Sequence, residues 1–174
     1  NEFAQKRVGE RILPYLQQLL LLFPYENNLL HKVSAFLLQK ELDPHHVIDL
    51  VEAVAGIQET DVEQMIRTTP ILAGPYCLAL VQTKQDAEAE RIISSVIHEP
   101  ILQGNWYFKN ARDIINGSRF DKLLESGAFE EFKALTAGMT LSKCPAADSP
   151  HITAYLQWLY AQDENAYEQF CEIA

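Results

Sequence analysis

The sequence is poor in cysteine and has no pattern that joins the few it contains. Cys77, Cys144 and Cys171 stand far apart in 174 residues, without a CxxC pair. A structural zinc site needs closely spaced thiolates and imidazoles, and a small disulfide-stapled domain needs a dense, even-numbered set of cysteines. The composition argues against both, and it favours a reducing compartment. We therefore expect a cytoplasmic protein.

Motifs of the common enzyme classes are also missing. The chain has no glycine-rich phosphate loop, no GxSxG and no HExxH. The one group that resembles a metal site is His45, His46 and Asp49, because His45 and Asp49 would be neighbours on a helix. No third and fourth ligand is visible beside them. Polar residues in the first turn of an exposed helix explain the group more simply, so we expect no metal and no cofactor.

A second local group could suggest nucleophilic chemistry. Cys144, Asp148 and His151 lie close together in a loop-like stretch, so that a thiol could be paired with an imidazole base. No oxyanion-hole element accompanies them, and such sites usually collect their members from distant parts of the chain. We expect no catalytic residue here and interpret Cys144 as an incidental loop cysteine.

Basic residues are scarce. Lys and Arg total 14 against 24 Asp and Glu, which gives a formal net charge of −10. Such a chain repels phosphate backbones, so nucleic acid is excluded as an expected partner. From residue 121 onward, nine acidic residues face three basic ones. This acidic third would suit a partner with a basic surface; the alternative is a solvated acidic face that serves solubility.

No apolar run is long enough to span a bilayer. The most apolar stretch, Ile12 to Phe23, is interrupted by Gln17 and Gln18, whereas a spanning helix needs about 20 apolar residues. No small-residue cleavage site follows it, so it does not resemble a signal peptide. We predict one amphipathic helix from Phe3 to Phe23, with Pro14 facing solvent. Its predicted buried face comprises Ala4, Val8, Ile12, Tyr15, Leu16, Leu19, Leu22 and Phe23.

What the sequence does contain is helical periodicity almost throughout, and no convincing period of two. It predicts an all-α fold of about nine to eleven helices, arranged as an irregular multi-helix bundle or a short helical-hairpin array. The expected organisation is a single domain over residues 1–174. The alternative is two packed subdomains, 1–138 and 149–174, joined by a loop at 139–148. Because the chain starts without methionine, we expect it to be part of a longer protein.

Local signals set several helix boundaries. Asn105 to Asn116 should form one helix that Gly117 ends, and Ser118 should cap the next. Thr60 to Glu63 matches a capping box for a short helix. Asp163 should begin the last helix of the chain.

Three consecutive aromatics, Trp106 to Phe108, point to a contact surface. On a helix they spread over about 200° and cannot share one face. Tyr107 and Phe108 join the predicted core stripe, which leaves Trp106 on the opposite side as a candidate interface anchor. The alternative is that the preceding segment, Pro100 to Leu102, covers the Trp106 ring. Trp158 and Tyr160 flank the apolar stripe of a later helix. The candidate partner-binding residues are therefore Trp106, Lys109, Asn110, Asp113, Trp158 and Tyr160.

These observations favour a non-catalytic helical domain that binds another protein, as an adaptor or scaffold. A role as a module of a host-directed bacterial effector is a narrower interpretation that no residue carries. An enzyme or catalytic accessory domain is the alternative, and it would require polar side chains converging in a deep pocket between helices. A lipid-binding surface domain is less favoured, because the chain is acidic.

Overall fold

Every regular element in the described part of the chain is helical. The computed structural model describes residues 2–173, which are 75% helical with ten α-helices and no strand. This confirms the predicted all-α class and helix number. The α-helices are α1 (Glu2–Leu22), α2 (Asn27–Gln39), α3 (His45–Ile57), α4 (Val62–Thr68), α5 (Ala73–Gln82), α6 (Asp86–Val96), α7 (Trp106–Glu125), α8 (Phe129–Leu135), α9 (Ile152–Gln162) and α10 (Glu164–Phe170). Short 3-10 turns occupy Pro70–Leu72, Pro100–Leu102 and Leu141–Lys143.

Helix α1 passes through Pro14 without a break, as predicted, and Pro14 is exposed. Proline removes one backbone hydrogen bond, but on the solvent side water satisfies the carbonyl that is left free. The predicted buried face is wrong for most of its members. Ile12, Leu16 and Leu19 are half-buried, whereas the others are exposed: Ala4, Val8, Tyr15, Leu22 and Phe23. The buried residues of α1 are Gly9 and Leu20.

The close approach at Gly9 explains the orientation of α1, which packs on α2 and α3. A Cβ atom placed on Gly9 would lie 3.3 Å from both Leu42 Cδ1 and Lys40 Cβ. The helix therefore turns its glycine side inward, where the missing side chain allows the backbone to approach the α2–α3 connection. None of the described helices is both long and apolar enough to cross a membrane.

The chain divides into two compact units, of which the first ends at Arg112 and the second begins at Asp113. The division falls inside α7, whereas the sequence placed its candidate joint at residues 139–148. The first unit is built around α5, in which every residue from Ala73 to Val81 is buried. Helices α2, α3 and α6 pack against α5. A helix that is apolar on all sides is expected at the centre of such an arrangement.

Side-chain hydrogen bonds connect helix ends within the first unit. Asn27 Nδ2 donates to Thr69 Oγ1 at 3.0 Å, and Gln58 Nε2 donates to Asn27 Oδ1 and to the Pro24 carbonyl, both at 2.7 Å. These bonds satisfy backbone and amide groups at the ends of α1, α2, α3 and α4, where helices leave unpaired groups. They fix the helix ends without contributing a reactive group.

The second unit has its own aromatic core. Phe132 and Tyr155 are fully buried, and their ring centroids lie 4.6 Å apart in an edge-to-face arrangement. Helices α9 and α10 form a hairpin that packs on this core. The segment 139–148 contributes two buried residues to the core, Cys144 and Ala146.

Three local predictions are wrong and one is confirmed. Gly117 does not end a helix and Ser118 does not cap one, because α7 continues through both to Glu125. The cap of α4 is Asp61 rather than Thr60, since Asp61 Oδ1 accepts from the Gln64 backbone N–H at 2.7 Å. Asp163 caps α10 as predicted, and its Oδ1 accepts from the Ala166 N–H at 3.0 Å.

Candidate functional site

The three aromatic residues at the start of α7 face different surroundings, as their positions on the helix require. Phe108 is buried, and the Tyr107 hydroxyl accepts a hydrogen bond from Gln39 Nε2 at 2.8 Å. Trp106 remains 62% exposed. Its ring packs edge-on against Tyr107, with centroids 5.1 Å apart. The alternative that the Pro100–Leu102 segment covers Trp106 is therefore wrong, because that turn leaves most of the indole in solvent.

The three residues predicted to accompany Trp106 also lie on α7. Lys109 and Asp113 are exposed, and Asn110 is half-buried. Asn110 Nδ2 donates to the Trp106 carbonyl at 2.6 Å, so its amide serves the helix backbone. What this part of α7 offers a ligand is thus an exposed indole, with the exposed Lys109 three residues later on the same helix. Whether it binds a partner stays a prediction.

Trp158 and Tyr160 have different surroundings, although both lie on α9. Trp158 is half-buried and stacks on Tyr155, with centroids 5.8 Å apart and an interplanar angle of 27°. It is therefore chiefly a packing residue of the second unit. Tyr160 is 53% exposed, and its hydroxyl donates to Glu164 Oε1 at 3.1 Å. Its ring meets Tyr167 of α10 edge-on at 5.2 Å.

A shallow groove follows these tyrosines along the α9–α10 hairpin. Its volume is about 390 Å³. The groove is lined by Thr153, Leu156, Gln157, Tyr160 and Tyr167. Most of its lining is apolar, while the neighbouring carboxylates Glu164 and Glu168 are exposed. The hydrogen bond to Glu164, and then the negative charges of Glu164 and Glu168, raise the pKa of Tyr160.

The second unit contains another concavity of about 320 Å³ between α8, α9 and α10. Lys133 is the one charged residue in its lining. The Thr136 hydroxyl at its wall already donates to the Phe132 carbonyl at 2.8 Å. The lining contains no carboxylate or imidazole that could pair with Lys133.

An apolar surface on α1 was missed by the sequence analysis. Val8, Tyr15 and Leu22 are 55%, 72% and 74% exposed. They are spaced seven residues apart and therefore lie in one line along the helix, about 10 Å from one to the next. We call these three residues the α1 stripe. Phe23 and Tyr25 extend the exposed apolar surface beyond the helix end.

The signal for the α1 stripe was present in the sequence. Its three residues recur at an interval of seven, which is typical of a helix that packs lengthwise against another helix. They were assigned to the core because they are apolar and share a broad face with Leu16 and Leu19, which are half-buried. The apolar surface of α1 is wider than the area that α2 and α3 cover, so the stripe remains in solvent.

Of the candidate metal group, Asp49 is exposed and His46 is half-buried. The His45 imidazole pairs with Asp43 rather than with Asp49. His45 Nδ1 lies 2.7 Å from Asp43 Oδ1, and both side chains are mostly in solvent. Asp43 Oδ1 also accepts from the His45 backbone N–H at 2.9 Å, and these two bonds lower the pKa of Asp43. Within residues 2–173, no three His, Cys, Asp or Glu side chains converge as metal ligands would.

The candidate nucleophile group does not form a reactive site. Cys144 is buried, and burial raises the pKa of its thiol, which disfavours the nucleophilic thiolate. Asp148 is exposed, and the His151 backbone N–H donates to Ser149 Oγ at 3.1 Å. These contacts belong to the turn before α9, and none of them joins the His151 imidazole to the Cys144 thiol.

Comparison with known proteins gives no match: no family model, no curated protein and no solved structure resembles the chain. Any functional assignment therefore rests on the surface chemistry of the chain itself. That surface presents exposed apolar and aromatic side chains at α1, at the start of α7 and on the α9–α10 hairpin.

Proposed function

We propose that the protein is a non-catalytic helical interaction domain that binds another protein, and that the α1 stripe is its principal contact. The observation that carries this proposal is the exposure of Val8, Tyr15 and Leu22 on one line of a helix. Scattered exposed apolar side chains are normal in a folded protein, but an aligned set on one element is typical of an interaction site.

The spacing of the stripe favours a helical partner surface. An interval of seven residues keeps one line of side chains against a neighbouring helix over several turns. Tyrosine and leucine supply large contact areas for a modest loss of side-chain freedom, and aromatic residues are enriched at interfaces. Arg11 lies between Val8 and Tyr15 in the sequence and is exposed, so it adds a charge beside the apolar line.

An experiment on the intact chain tests the proposal. Replacing two stripe residues together, Tyr15→Glu and Leu22→Glu, should leave the fold intact because both side chains are mostly in solvent. In affinity capture, the unaltered protein should retain a partner in stoichiometric amount. The double variant should bind that partner with an affinity lower by about 30-fold or more. This corresponds to about 2 kcal/mol, the free energy typical of an anchor residue.

A matched control distinguishes the loss of the apolar stripe from the effect of added negative charge. Gln82→Glu with Gln103→Glu adds the same two negative charges at exposed positions outside α1 and should bind the partner normally. Equal binding by the stripe variant would contradict the proposal, as would the absence of any stoichiometric partner. Stripe-dependent binding to anionic lipid vesicles would instead assign α1 to a membrane surface. The narrower effector role is not part of the proposal, because no residue points to it.

A further inference from the structure

The α9–α10 groove combines aromatic walls with unpaired negative charge. Tyr160 and Tyr167, whose rings contact each other, line it together with Leu156 and Thr153. Its volume of about 390 Å³ lies at the small end of ligand pockets, which run from about 300 to 1,000 Å³. A groove of this size can hold one long side chain and its flanking backbone, but it is too small to receive the face of a whole domain.

The chain segment that forms the two groove helices carries acidic residues and no basic ones. From His151 to Ile173 the chain contains four acidic residues and no Lys or Arg. Glu164 and Glu168 lie on the same helix as Tyr167, and neither forms an ion pair within the described residues. The hydrogen bond from the Tyr160 hydroxyl to Glu164, and then the charges of Glu164 and Glu168, raise the pKa of Tyr160, which places both carboxylates near this ring. A cation is the ligand that such surroundings complement.

We propose that the α9–α10 groove binds a basic peptide segment of a partner protein, with an arginine side chain against Tyr160 and Tyr167 and its guanidinium at Glu164 and Glu168. Arginine suits the site better than lysine for two reasons. Its planar group stacks on aromatic rings, and its fork of donors pairs with carboxylates. The long apolar stem of arginine can lie on Leu156 while its charged head stays at the rim.

This inference shares with the proposed function only the premise that the chain binds proteins. The groove and the α1 stripe have no residue in common, so the two sites are tested separately. A peptide that binds the groove should do so with equal affinity in the Tyr15→Glu, Leu22→Glu variant. Failure at one site thus leaves the other unaffected.

The test is a fluorescence-polarisation titration of the intact chain with a short, amidated peptide in which arginine alternates with leucine. Saturable binding is expected, with affinity falling as salt is added. The Glu164→Gln, Glu168→Gln double variant preserves side-chain shape and should weaken binding about tenfold or more, and Tyr160→Ala should weaken it similarly. Substituting citrulline, a neutral isostere of arginine, should abolish binding.

The matched control is Glu130→Gln with Glu131→Gln, which removes two exposed acidic charges of α8 in the same unit. It should bind the peptide normally. Equal loss in this control would show general charge attraction and would overturn the proposal. The proposal would also be overturned if the Glu164→Gln, Glu168→Gln variant or the Tyr160→Ala variant bound the peptide as well as the unaltered chain does. Full-strength binding of the citrulline peptide would overturn it too, as would the absence of saturable binding to the unaltered chain.

Discussion

Four consecutive leucines of α1 show how strongly the environment of a residue depends on its helical position. Leu20 is 1% exposed, whereas Leu21 and Leu22 are mostly in solvent and Leu19 is half-buried. Each step along an α-helix turns the side chain by about 100°, so neighbours in sequence face different surroundings. Hydrophobicity alone therefore does not identify the core residue in this run.

The first prediction compares two of these leucines. Leu20→Ala should lower the free energy of unfolding by about 2 to 5 kcal/mol, because it opens a cavity in a packed site. Leu22→Ala should change it by no more than about 0.5 kcal/mol, because little packed volume is lost. Urea unfolding followed by far-UV circular dichroism measures both. Similar values for the two variants would show that the α1 helix is not oriented as described.

The second prediction concerns Trp106. In a Trp158→Phe background, where Trp106 is the remaining tryptophan, emission should be red-shifted and quenched by iodide, because the ring is largely in solvent. Trp106→Ala in the natural chain should change the free energy of unfolding by less than about 1 kcal/mol. A loss of about 3 to 5 kcal/mol, the cost of deleting a core aromatic, would instead place the ring in the core.

At the scale of elements, the approach of α5 to the start of α7 depends on one glycine. A Cβ atom on Gly74 would lie 2.5 Å from Asn105 Oδ1 and 3.3 Å from the Cβ of Tyr107. Asn105 Oδ1 accepts from the Phe108 backbone N–H at 3.0 Å, so it satisfies one of the unpaired donors at the start of α7. Any side chain at Gly74 must displace this group.

The third prediction follows from that contact. Gly74→Ala should destabilise the protein by about 1 to 3 kcal/mol, because it overpacks the contact and disturbs the Asn105 hydrogen bond. Gly56→Ala is the matched control within α3, where an added Cβ meets nothing within 4 Å. It should stabilise by about 0.5 to 1 kcal/mol through the higher helix propensity of alanine. Thermal unfolding distinguishes the opposite signs, and a stabilising Gly74→Ala would refute the contact.

At the scale of the whole molecule, we expect stability to depend on alkaline pH through α5, the central helix of the first unit. Tyr76 and Cys77 are both buried there. Burial, and then the charges of Glu52 and Glu88, raise the pKa of Tyr76. Burial, and then the charge of Glu88, raises the pKa of Cys77 to about 12. The unfolded chain ionises both groups nearer their ordinary pKa values, about 8.5 for cysteine and 10 for tyrosine.

The fourth prediction is the resulting loss of stability at high pH. Between about pH 8.5 and 12 the folded chain holds protons that the unfolded chain releases, so the free energy of unfolding should fall as pH rises. Each group contributes at most about 1.4 kcal/mol per pH unit. Urea unfolding at several pH values measures this slope, and Cys77→Ala should make it shallower. An identical slope in that variant would exclude the thiol as a source.

Much of the fold could be predicted from the sequence, because helix formation depends on local patterns. The all-α class follows from apolar residues at helical spacing in nearly every segment. The Asp163 cap and the continuous helix through Pro14 depend on a few neighbouring residues each. Each of these predictions needed no knowledge of what packs against the helix. The three aromatics at the start of α7 cannot share one face, but the sequence left open whether the Pro100–Leu102 turn covers Trp106, and only the tertiary packing decided that.

The tertiary structure alone decided which apolar surfaces are covered. Periodicity shows which residues of α1 share a face, but the approach at Gly9 determines which part of that face meets α2 and α3, and so leaves Tyr15 in solvent. Likewise, Gly117 sits inside α7 because a local helix-stop signal contributes only about 1 kcal/mol. The burial of Ile115 and Phe120 on either side of it outweighs that signal. The groove at Tyr160 also required the pairing of α9 with α10, a contact that no local pattern specifies.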